Sequence, residues 1–304
     1  MTPEDFEPDA TFFEHLDPLL GPKVERGLTI GPFSVRLTGL PVSLVSALED
    51  RYLAFLDRVP APEALVLALR AAGRERFLSS FVDERGWYQL RARLRGGRVT
   101  LCACDFAGWF ETAGGRGALA PCREGWPGMQ MGLENLLRVY YAWRAIDRQG
   151  FLIHAASVVC GGRAYVFFGH SEAGKTTVAE ASLDRGEVLS DDLTLLTLEP
   201  EGYRAHSVPF RGRYREQVVA ARRTYPVAGL FHLVRAGRNQ VTRLPHVRAV
   251  ADVLSCLPFI TDRLVPRDPA EVIGVCERAL RTLPVFQLEY TAATELWEPV
   301  LASV

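Results

Sequence analysis

Lysine is almost absent from this chain of 304 residues, since only Lys23 and Lys175 occur and arginine supplies the other positive charges. The formal net charge of −1 argues against a nucleic-acid-binding protein that works by bulk electrostatic attraction. No apolar run is long enough to cross a bilayer, so we expect no membrane insertion. These absences favour a globular protein whose partners are neither nucleic acid nor membrane.

Secretory features are also missing from the sequence. Residues 1–17 are acidic and lack the basic and then apolar pattern of a signal peptide. The six cysteines follow no disulfide framework, which is typical of reduced thiols, and we therefore expect a cytoplasmic protein. The hydrophobic fraction of 48% and the length are sufficient for a large core and for two domains.

Residues 169–176 follow the phosphate-binding pattern, which is a glycine, four residues, a second glycine, a lysine and a hydroxyl residue. An apolar run at 165–168 precedes the pattern, and a helical stretch from Thr177 follows it. In that order the strand fixes the start of the loop, and the helix presents the positive end of its dipole to the phosphates. The compact ammonium of Lys175 suits this task better than the rigid fork of an arginine.

This pattern predicts an ATP-binding loop in which Lys175 reaches the β- and γ-phosphates and the Thr176 hydroxyl binds Mg²⁺. An ordinary glycine-containing turn between a strand and a helix is the alternative, and the flanking sequence argues against it. The residues expected to bind the nucleotide are Gly169, His170, Ser171, Glu172, Ala173, Gly174, Lys175, Thr176 and Thr177.

Two apolar runs, at 151–160 and 163–168, are joined by a Gly-Gly pair. Such a connection is typical of a β-hairpin. In the tightest register His154 lies opposite Gly169, the first residue of the loop, so an imidazole would lie beside the phosphates. The strand that leads into the loop would then have an antiparallel neighbour, unlike the parallel core of the commonest P-loop enzymes.

Two adjacent carboxylates, Asp191 and Asp192, interrupt an apolar strand predicted at 188–196. Acids inside a buried strand are costly unless they bind a metal or act in catalysis. Neighbouring strand residues point to opposite faces, so we expect the two aspartates to have different roles. A strand end with two solvated aspartates is the alternative, and the nearby phosphate loop favours the functional interpretation.

Periodicity and turn signals predict the remaining elements. Strands are expected at 33–37, 88–94, 99–104, 229–235 and 285–290, and helices from Ser43 and at 133–148, 247–257 and 269–282. The Gly- and Pro-rich residues 113–128 are expected to form a loop. A junction near the helix at 133–148 divides the chain into an α+β domain of residues 1–145 and a P-loop domain of residues 146–304.

His154, the loop at 169–176 and the pair Asp191-Asp192 together resemble the catalytic domain of HPr kinase/phosphorylase. The likeness covers residues 151–290 and is stronger to divergent HPr-kinase-like proteins, some of which accompany peptide-modification clusters. It implies an α/β P-loop domain of the HPr kinase/phosphoenolpyruvate carboxykinase type with a mixed sheet, beside a smaller N-terminal α+β domain.

The resemblance also implies roles for these residues. Asp191 would take the proton from the acceptor hydroxyl, although the two aspartates could exchange roles. Asp192 and Thr176 would lie near the metal, and His154 would contact the transferred phosphate or the β-phosphate. With Lys175 they would form an ATP-dependent, Mg²⁺-requiring kinase for a serine or threonine of a peptide or small protein. The N-terminal domain is a candidate for acceptor binding, and a homo-oligomer is a further expectation because HPr kinases assemble as hexamers.

The chain departs from the pattern of these enzymes in and after the loop. Glu172 and Ala173 replace a glycine and a small residue, and Thr177 replaces a glutamate. Their later signature places a metal-binding glutamate two residues before an Arg-Gly pair. Arg211 with the following glycine is the best counterpart, which assigns Arg211 to the nucleotide site, and Pro209 occupies the glutamate position.

Two other functions therefore stay open. A nucleotide-binding maturation or regulatory partner would keep the loop and transfer nothing, and the missing glutamate favours it. A kinase of free serine or of another small hydroxyl compound would need a closed pocket beside Asp191. The arginines around Arg211 could hold a phosphate or an acidic partner, and a solvated arginine face is the alternative.

Overall fold

The structure is a computed structural model. It describes residues 8, 10–59, 61, 64–72, 77–78, 80–82, 88–123, 125–170, 172–210, 221–260, 267–291 and 296–304. The chain divides into two compact units, one of residues 1–140 and 259–266 and the other of residues 141–258 and 267–304. Among the described residues, no helix has the length and apolar character that a bilayer crossing requires.

The first unit is built on strands. These are β1 Asp17–Pro18, β2 Lys23–Ile30, β3 Phe33–Pro41, β4 Leu56–Asp57, β5 Leu65–Ala71, β6 Leu90–Arg95, β7 Arg98–Ala103, β8 Phe106–Glu111 and β9 Arg116–Pro121. Its helices are α1 Ala10–Glu14, α2 Val45–Tyr52 and the first part of α3 Trp126–Asp147, with 3₁₀ turns at Val42–Leu44 and Leu53–Phe55.

In the described part of this unit the strands form one nine-stranded sheet in the order β4-β2-β3-β5-β9-β8-β7-β6, with β1 paired to β5. The sheet is mixed, because β5 runs parallel to β3 and β9 while the other neighbours are antiparallel. The strands predicted at 88–94 and 99–104 correspond to β6 and β7, which form a hairpin at the Gly96-Gly97 turn, since Arg95 pairs with Arg98.

The prediction of a loop at 113–128 is wrong. β9 occupies part of this stretch and lies between β5 and β8, and α3 begins at Trp126, before the predicted residue 133. A Cβ on Gly117 would meet the Trp109 carbonyl oxygen at 2.6 Å, so this glycine permits close packing inside the sheet. Ser43 lies in a 3₁₀ turn and does not cap α2, which begins at Val45.

The second unit follows α3. Its strands are β10 Phe151–Cys160, β11 Arg163–Phe168, β12 Glu187–Ser190, β13 Leu193–Glu199, β14 Gly202–His206, β15 Thr224–Arg235, β16 Gln240–Arg243 and β17 Val285–Tyr290. Its helices are α4 Lys175–Glu180, α5 His246–Ser255, α6 Pro269–Thr282 and α7 Trp297–Leu301. The helix predicted at 269–282 is confirmed as α6, and the Asp268 side chain caps it by accepting a hydrogen bond from the Ala270 N–H.

In the described part of the second unit, five strands close into a ring in the order β11-β10-β13-β14-β15, since β11 also pairs with β15. Two long strands make this closure possible. β10 pairs with β13 over residues 151–154 and with β11 over 155–160, and β15 pairs first with β14 and then with β11. β12 pairs with β10, while β17 and then β16 extend the sheet beyond β15.

The β10–β11 hairpin has the predicted register, in which Cys160 pairs with Arg163 and Ala155 with Phe168. The pairing ends there, one step before the predicted pair of His154 with Gly169, and His154 pairs with Leu193 of β13 instead. β11 also has a parallel neighbour in β15, so the expected mixed sheet is confirmed. The phosphate-loop sequence therefore begins where β11 leaves the centre of a mixed sheet.

An aromatic core lies beneath this part of the sheet. Phe167 stacks on Phe231 with ring centroids 5.4 Å apart, and Trp297 packs edge-on against Phe167 at 5.8 Å. The Trp297 indole also donates a hydrogen bond of 2.9 Å to the Ser182 hydroxyl, just after α4. The last helix of the chain thus anchors the segment that follows the loop.

Candidate functional site

Lys175, the first residue of α4, folds its side chain back into the loop that precedes it. Its Nζ donates hydrogen bonds of 2.9 Å to the carbonyl oxygens of Gly169 and His170. The Ala173 N–H donates to the His170 carbonyl at 3.1 Å and closes the turn. The ammonium is thus held against the carbonyl oxygens at the start of the loop.

The ammonium is buried, with only 7% of Lys175 exposed. Burial lowers its pKa, while the neighbouring Cys256 and the negative charge of Asp192 raise it. A buried cation with one nearby carboxylate is a favourable position for a polyanion, because low solvent exposure strengthens its attraction for phosphate. The structure therefore brings Lys175 and Asp192 close enough to interact electrostatically.

Tyr290, the last residue of β17, supports the loop from below. Its hydroxyl donates a hydrogen bond of 2.6 Å to the Ala173 carbonyl. A Cβ on Gly174 would lie 1.7 Å from the same hydroxyl oxygen, and Gly174 also has a φ of 99°. The second glycine of the pattern is thus required by its backbone conformation and by the approach of the tyrosine.

Glu172 occupies the part of the loop where HPr-kinase-like sequences usually have glycine. Its φ is 68°, a conformation that glycine adopts freely and glutamate rarely adopts. The side chain is exposed. The departure in sequence thus places a glutamate in a backbone conformation that costs roughly 1 kcal/mol.

His154 lies where β10 changes partners. Its backbone N–H donates to the Cys256 carbonyl at 2.9 Å, and the next N–H, of Ala155, donates to the Asp192 carbonyl at 3.0 Å. The His154 Nε2 atom lies 3.2 Å from Asp192 Oδ1. The predicted imidazole and one of the two predicted carboxylates therefore contact each other at the edge of the loop.

Asp191 and Asp192 do not lie inside a continuous strand, which corrects the prediction. They form the bend between β12 and β13, where the Ser190 hydroxyl accepts hydrogen bonds from the N–H groups of Asp192 and Leu193 at 3.3 and 3.1 Å. Asp191 is buried at 8% exposure, while the Asp192 side chain is 26% exposed. The bend thus gives the two carboxylates different environments.

The remaining residues predicted to bind the nucleotide or the metal belong to the loop, to the start of α4 and to the arginine-rich segment. Thr176 and Thr177 are half-buried in the first turn of α4, and His170 is exposed on the loop. Ser171 and Arg211 lie outside the described residues, as does most of the arginine-rich segment. Arg223, at the end of that segment, forms an ion pair of 2.9 Å with Glu187.

The oxygen donors fit Mg²⁺. Within the described residues there is no group of three or more His, Cys, Asp or Glu side chains arranged as a metal site. Mg²⁺, however, is usually bound by one or two protein oxygens together with substrate phosphates. The hydroxyl of Thr176 and the carboxylate of Asp192 are oxygen ligands of that type.

Sequence reasoning missed two neighbours of the loop. Tyr290 follows Ala173 by 117 positions, and His232 reaches the loop through the parallel pairing of β11 and β15. The Nδ1 atom of His232 lies 2.9 Å from Asp252 Oδ2. A local sequence signal exists for neither, because both contacts depend on strand pairing over long separations.

A family model described as SynChlorMet cassette protein ScmC matches residues 128–301, which is more than half of the chain. None of the curated proteins matches the sequence.

Proposed function

The chain belongs to the SynChlorMet cassette protein ScmC family, and from this premise we propose that residues 146–304 form an ATP-dependent, Mg²⁺-requiring kinase that phosphorylates a hydroxyl group. The proposed domain is of the HPr kinase/phosphoenolpyruvate carboxykinase type. A serine or threonine of a peptide or small protein is the proposed acceptor, and residues 1–145 are proposed to help bind it in the cytoplasm.

The single observation that carries this proposal is the grouping at the end of β11. The buried ammonium of Lys175 lies inside the loop, Asp192 acts on it electrostatically, and His154 contacts Asp192 at 3.2 Å. A cation for phosphate, a carboxylate and an imidazole are the parts that phosphoryl transfer requires. They come from three separate segments, so their proximity is not a consequence of local sequence.

Each residue has a proposed task. Lys175 attracts the β- and γ-phosphates, and His154 contacts the phosphate nearest to the edge of the loop. Asp191 is the proposed base that accepts the proton of the acceptor hydroxyl, and its low exposure excludes water from that step. When bound with Thr176 and Asp192, Mg²⁺ would supply charge stabilisation for the phosphates. Such catalysis consists mainly of positioning and electrostatic stabilisation.

A second function is a nucleotide-binding maturation or regulatory partner that transfers no phosphate. Pro209 favours it, because this buried residue stands at the position where the resemblance expects a metal-binding glutamate. Both functions require ATP binding at the loop. They differ only in whether the γ-phosphate is transferred to an acceptor.

The test is transfer from γ-labelled ATP with Mg²⁺ to serine-containing peptides, free serine and water. Lys175→Ala should abolish transfer, since loss of several kcal/mol of transition-state stabilisation slows the reaction by roughly tenfold for each 1.4 kcal/mol. The variant should stay folded, because burial disfavours the charge that the substitution removes. Thermal unfolding checks this point.

Lys23→Ala is the matched control, because it removes the other lysine, an exposed residue of the first unit. It should leave transfer unchanged. Full transfer by Lys175→Ala would overturn the proposal. Tight ATP binding by the unmodified protein without transfer to any acceptor would instead support the regulatory partner.

A further inference from the structure

A second histidine lies beside the phosphate loop and is held by a carboxylate. The Nδ1 atom of His232 lies 2.9 Å from Asp252 Oδ2, and both side chains are nearly buried, at 13% and 12% exposure. Arg248, one turn earlier in α5, donates from Nε to both Asp252 oxygens at 2.7 and 2.9 Å. Asp252 therefore orients the imidazole and is itself fixed by an arginine.

The opposite edge of the His232 ring faces the start of the loop. His232 pairs with Phe168 across β15 and β11, and the two rings stack with centroids 5.1 Å apart. The nearest His232 atom to a Cβ built on Gly169 is Cδ2, at 3.8 Å. Since Cδ2 is bonded to Nε2, the nitrogen not engaged by Asp252 lies on the ring edge next to the first loop glycine.

The charges around the ring keep it neutral in the ligand-free protein. Burial lowers the pKa of His232, Asp252 raises it, and Arg248 and His170 lower it further. A polyphosphate at the loop would add several negative charges on the same side. Such charges favour the protonated form, so binding would raise the pKa of the ring and promote the uptake of a proton.

We propose that His232, oriented by Asp252, is a phosphate-contacting residue of the nucleotide site and takes up a proton when a polyphosphate binds. The proton comes from solvent and binds to Nε2, while Nδ1 stays 2.9 Å from Asp252 Oδ2. This inference rests on the proposed nucleotide site. It adds an imidazole, on the β15 side of the loop, to His154 on the β10 side.

His206 shows how a purely structural histidine of this fold differs. Its Nε2 and Nδ1 atoms bond to the hydroxyls of Thr197 and Thr224 at 2.7 and 3.0 Å. Both ring nitrogens thus serve neighbouring strands. In His232, by contrast, Nδ1 lies against the Asp252 carboxylate, and the opposite edge of the ring lies at the loop.

The test is isothermal titration calorimetry of Mg-ATP binding in buffers of different ionisation enthalpy, at about pH 6 and about pH 8. The dependence of the heat on the buffer gives the number of protons taken up. His232→Gln removes the titrating ring, and His232→Phe keeps an aromatic ring that can stack on Phe168. His246→Gln, which removes an exposed histidine at the start of α5, is the control.

Both His232 variants should take up fewer protons than the unmodified protein, and ATP should bind roughly tenfold to a hundredfold more weakly at about pH 6. Asp252→Asn should retain the contact between residue 252 and His232. It should move the proton uptake to lower pH, because the carboxylate charge is lost. The control should match the unmodified protein. Comparison between variants cancels any proton that belongs to the nucleotide itself.

Equal proton uptake in the unmodified protein and in both His232 variants would overturn the inference and leave the nucleotide site intact. A purely structural role for His232 predicts that result, accompanied by loss of thermal stability. Failure of the unmodified protein to bind Mg-ATP at all would overturn the proposed function together with this inference. The two failures are thus distinguishable in one set of titrations.

Discussion

Replacement of Tyr290 by phenylalanine tests whether the loop is held in its binding conformation from below. The substitution removes one oxygen atom and with it the 2.6 Å hydrogen bond to the Ala173 carbonyl. The ring stays in place, so the core formed by β17 keeps its packing. The perturbation therefore affects the loop with little change elsewhere.

The magnitude follows from the hydrogen bond and its burial. A buried neutral hydrogen bond contributes about 1 kcal/mol net, and a carbonyl left without a partner raises the loss to roughly 1–3 kcal/mol. Tyr290 is 2% exposed, so water cannot easily replace the phenol. A molecule whose loop has left the binding conformation does not bind nucleotide. The apparent affinity for ATP therefore falls in proportion to the fraction of molecules whose loop keeps the binding conformation. We expect ATP binding about threefold to tenfold weaker, since 1.4 kcal/mol corresponds to about tenfold.

Tyr203→Phe is a matched control from the same unit. Tyr203 is also buried, and its hydroxyl donates a hydrogen bond of 2.8 Å to the Gln149 carbonyl, away from the loop. Both variants should lose a similar free energy of unfolding, measured by chemical denaturation. Only Tyr290→Phe should weaken ATP binding, measured by titration calorimetry.

Equal ATP affinity in the Tyr290 and Tyr203 variants would refute the reasoning. In that case the loop would keep its conformation without the phenol, and the contact at Ala173 would contribute to stability alone. A loss of affinity in both variants would also count against it, because it would trace the effect to general destabilisation.

Two further predictions concern the carboxylates and the pH dependence of stability. Asp191→Asn should keep ATP affinity and lose transfer. Asp192→Asn should weaken Mg-ATP binding by roughly tenfold, because it removes a proposed oxygen ligand of Mg²⁺. The reverse pattern in binding and transfer assays would exchange their roles. Burial lowers the pKa of His206 to about 4 from its ordinary value of 6.5, so the folded state holds the ring neutral. Its stabilising contribution is present above pH 6.5 and is lost as the pH falls towards 4, because the unfolded chain takes up a proton first. Chemical denaturation across this range should show a weaker pH dependence for His206→Gln, and an unchanged profile would contradict this assignment.

The parts of the site that local sequence signals determine could be predicted. A Gly-Gly connection sets the register of β10 and β11, from Cys160 with Arg163 to Ala155 with Phe168, without knowledge of any distant contact. The phosphate-binding role of the loop stays a prediction from the spacing of its glycines and Lys175. The N-cap of α6 was predictable for the same reason, since a cap depends on neighbours a few residues away.

The remaining features depend on contacts between distant segments. The strand predicted through Asp191 ends at Ser190, because the serine hydroxyl binds the following backbone N–H groups and stabilises a bend. The glycines near Gly117 indicated a loop, yet close packing inside a sheet requires at least one of them. His232 reaches the loop only because β15 pairs with β11, and a single sequence carries no signal for that pairing.

The phosphate loop of this chain depends on residues that follow it by more than a hundred positions. α4 is a helix of six residues, too short to fix the loop by its own stability. Before this helix, the Tyr290 hydroxyl donates a hydrogen bond to the Ala173 carbonyl. After the helix, the Trp297 indole donates to the Ser182 hydroxyl. The same hydroxyl donates to the Val178 carbonyl at 2.6 Å. Both ends of the short helix are therefore attached to the last strand and last helix of the chain. The conformation that Lys175 needs is thus a property of the folded unit as a whole, because the isolated loop sequence lacks these two attachments.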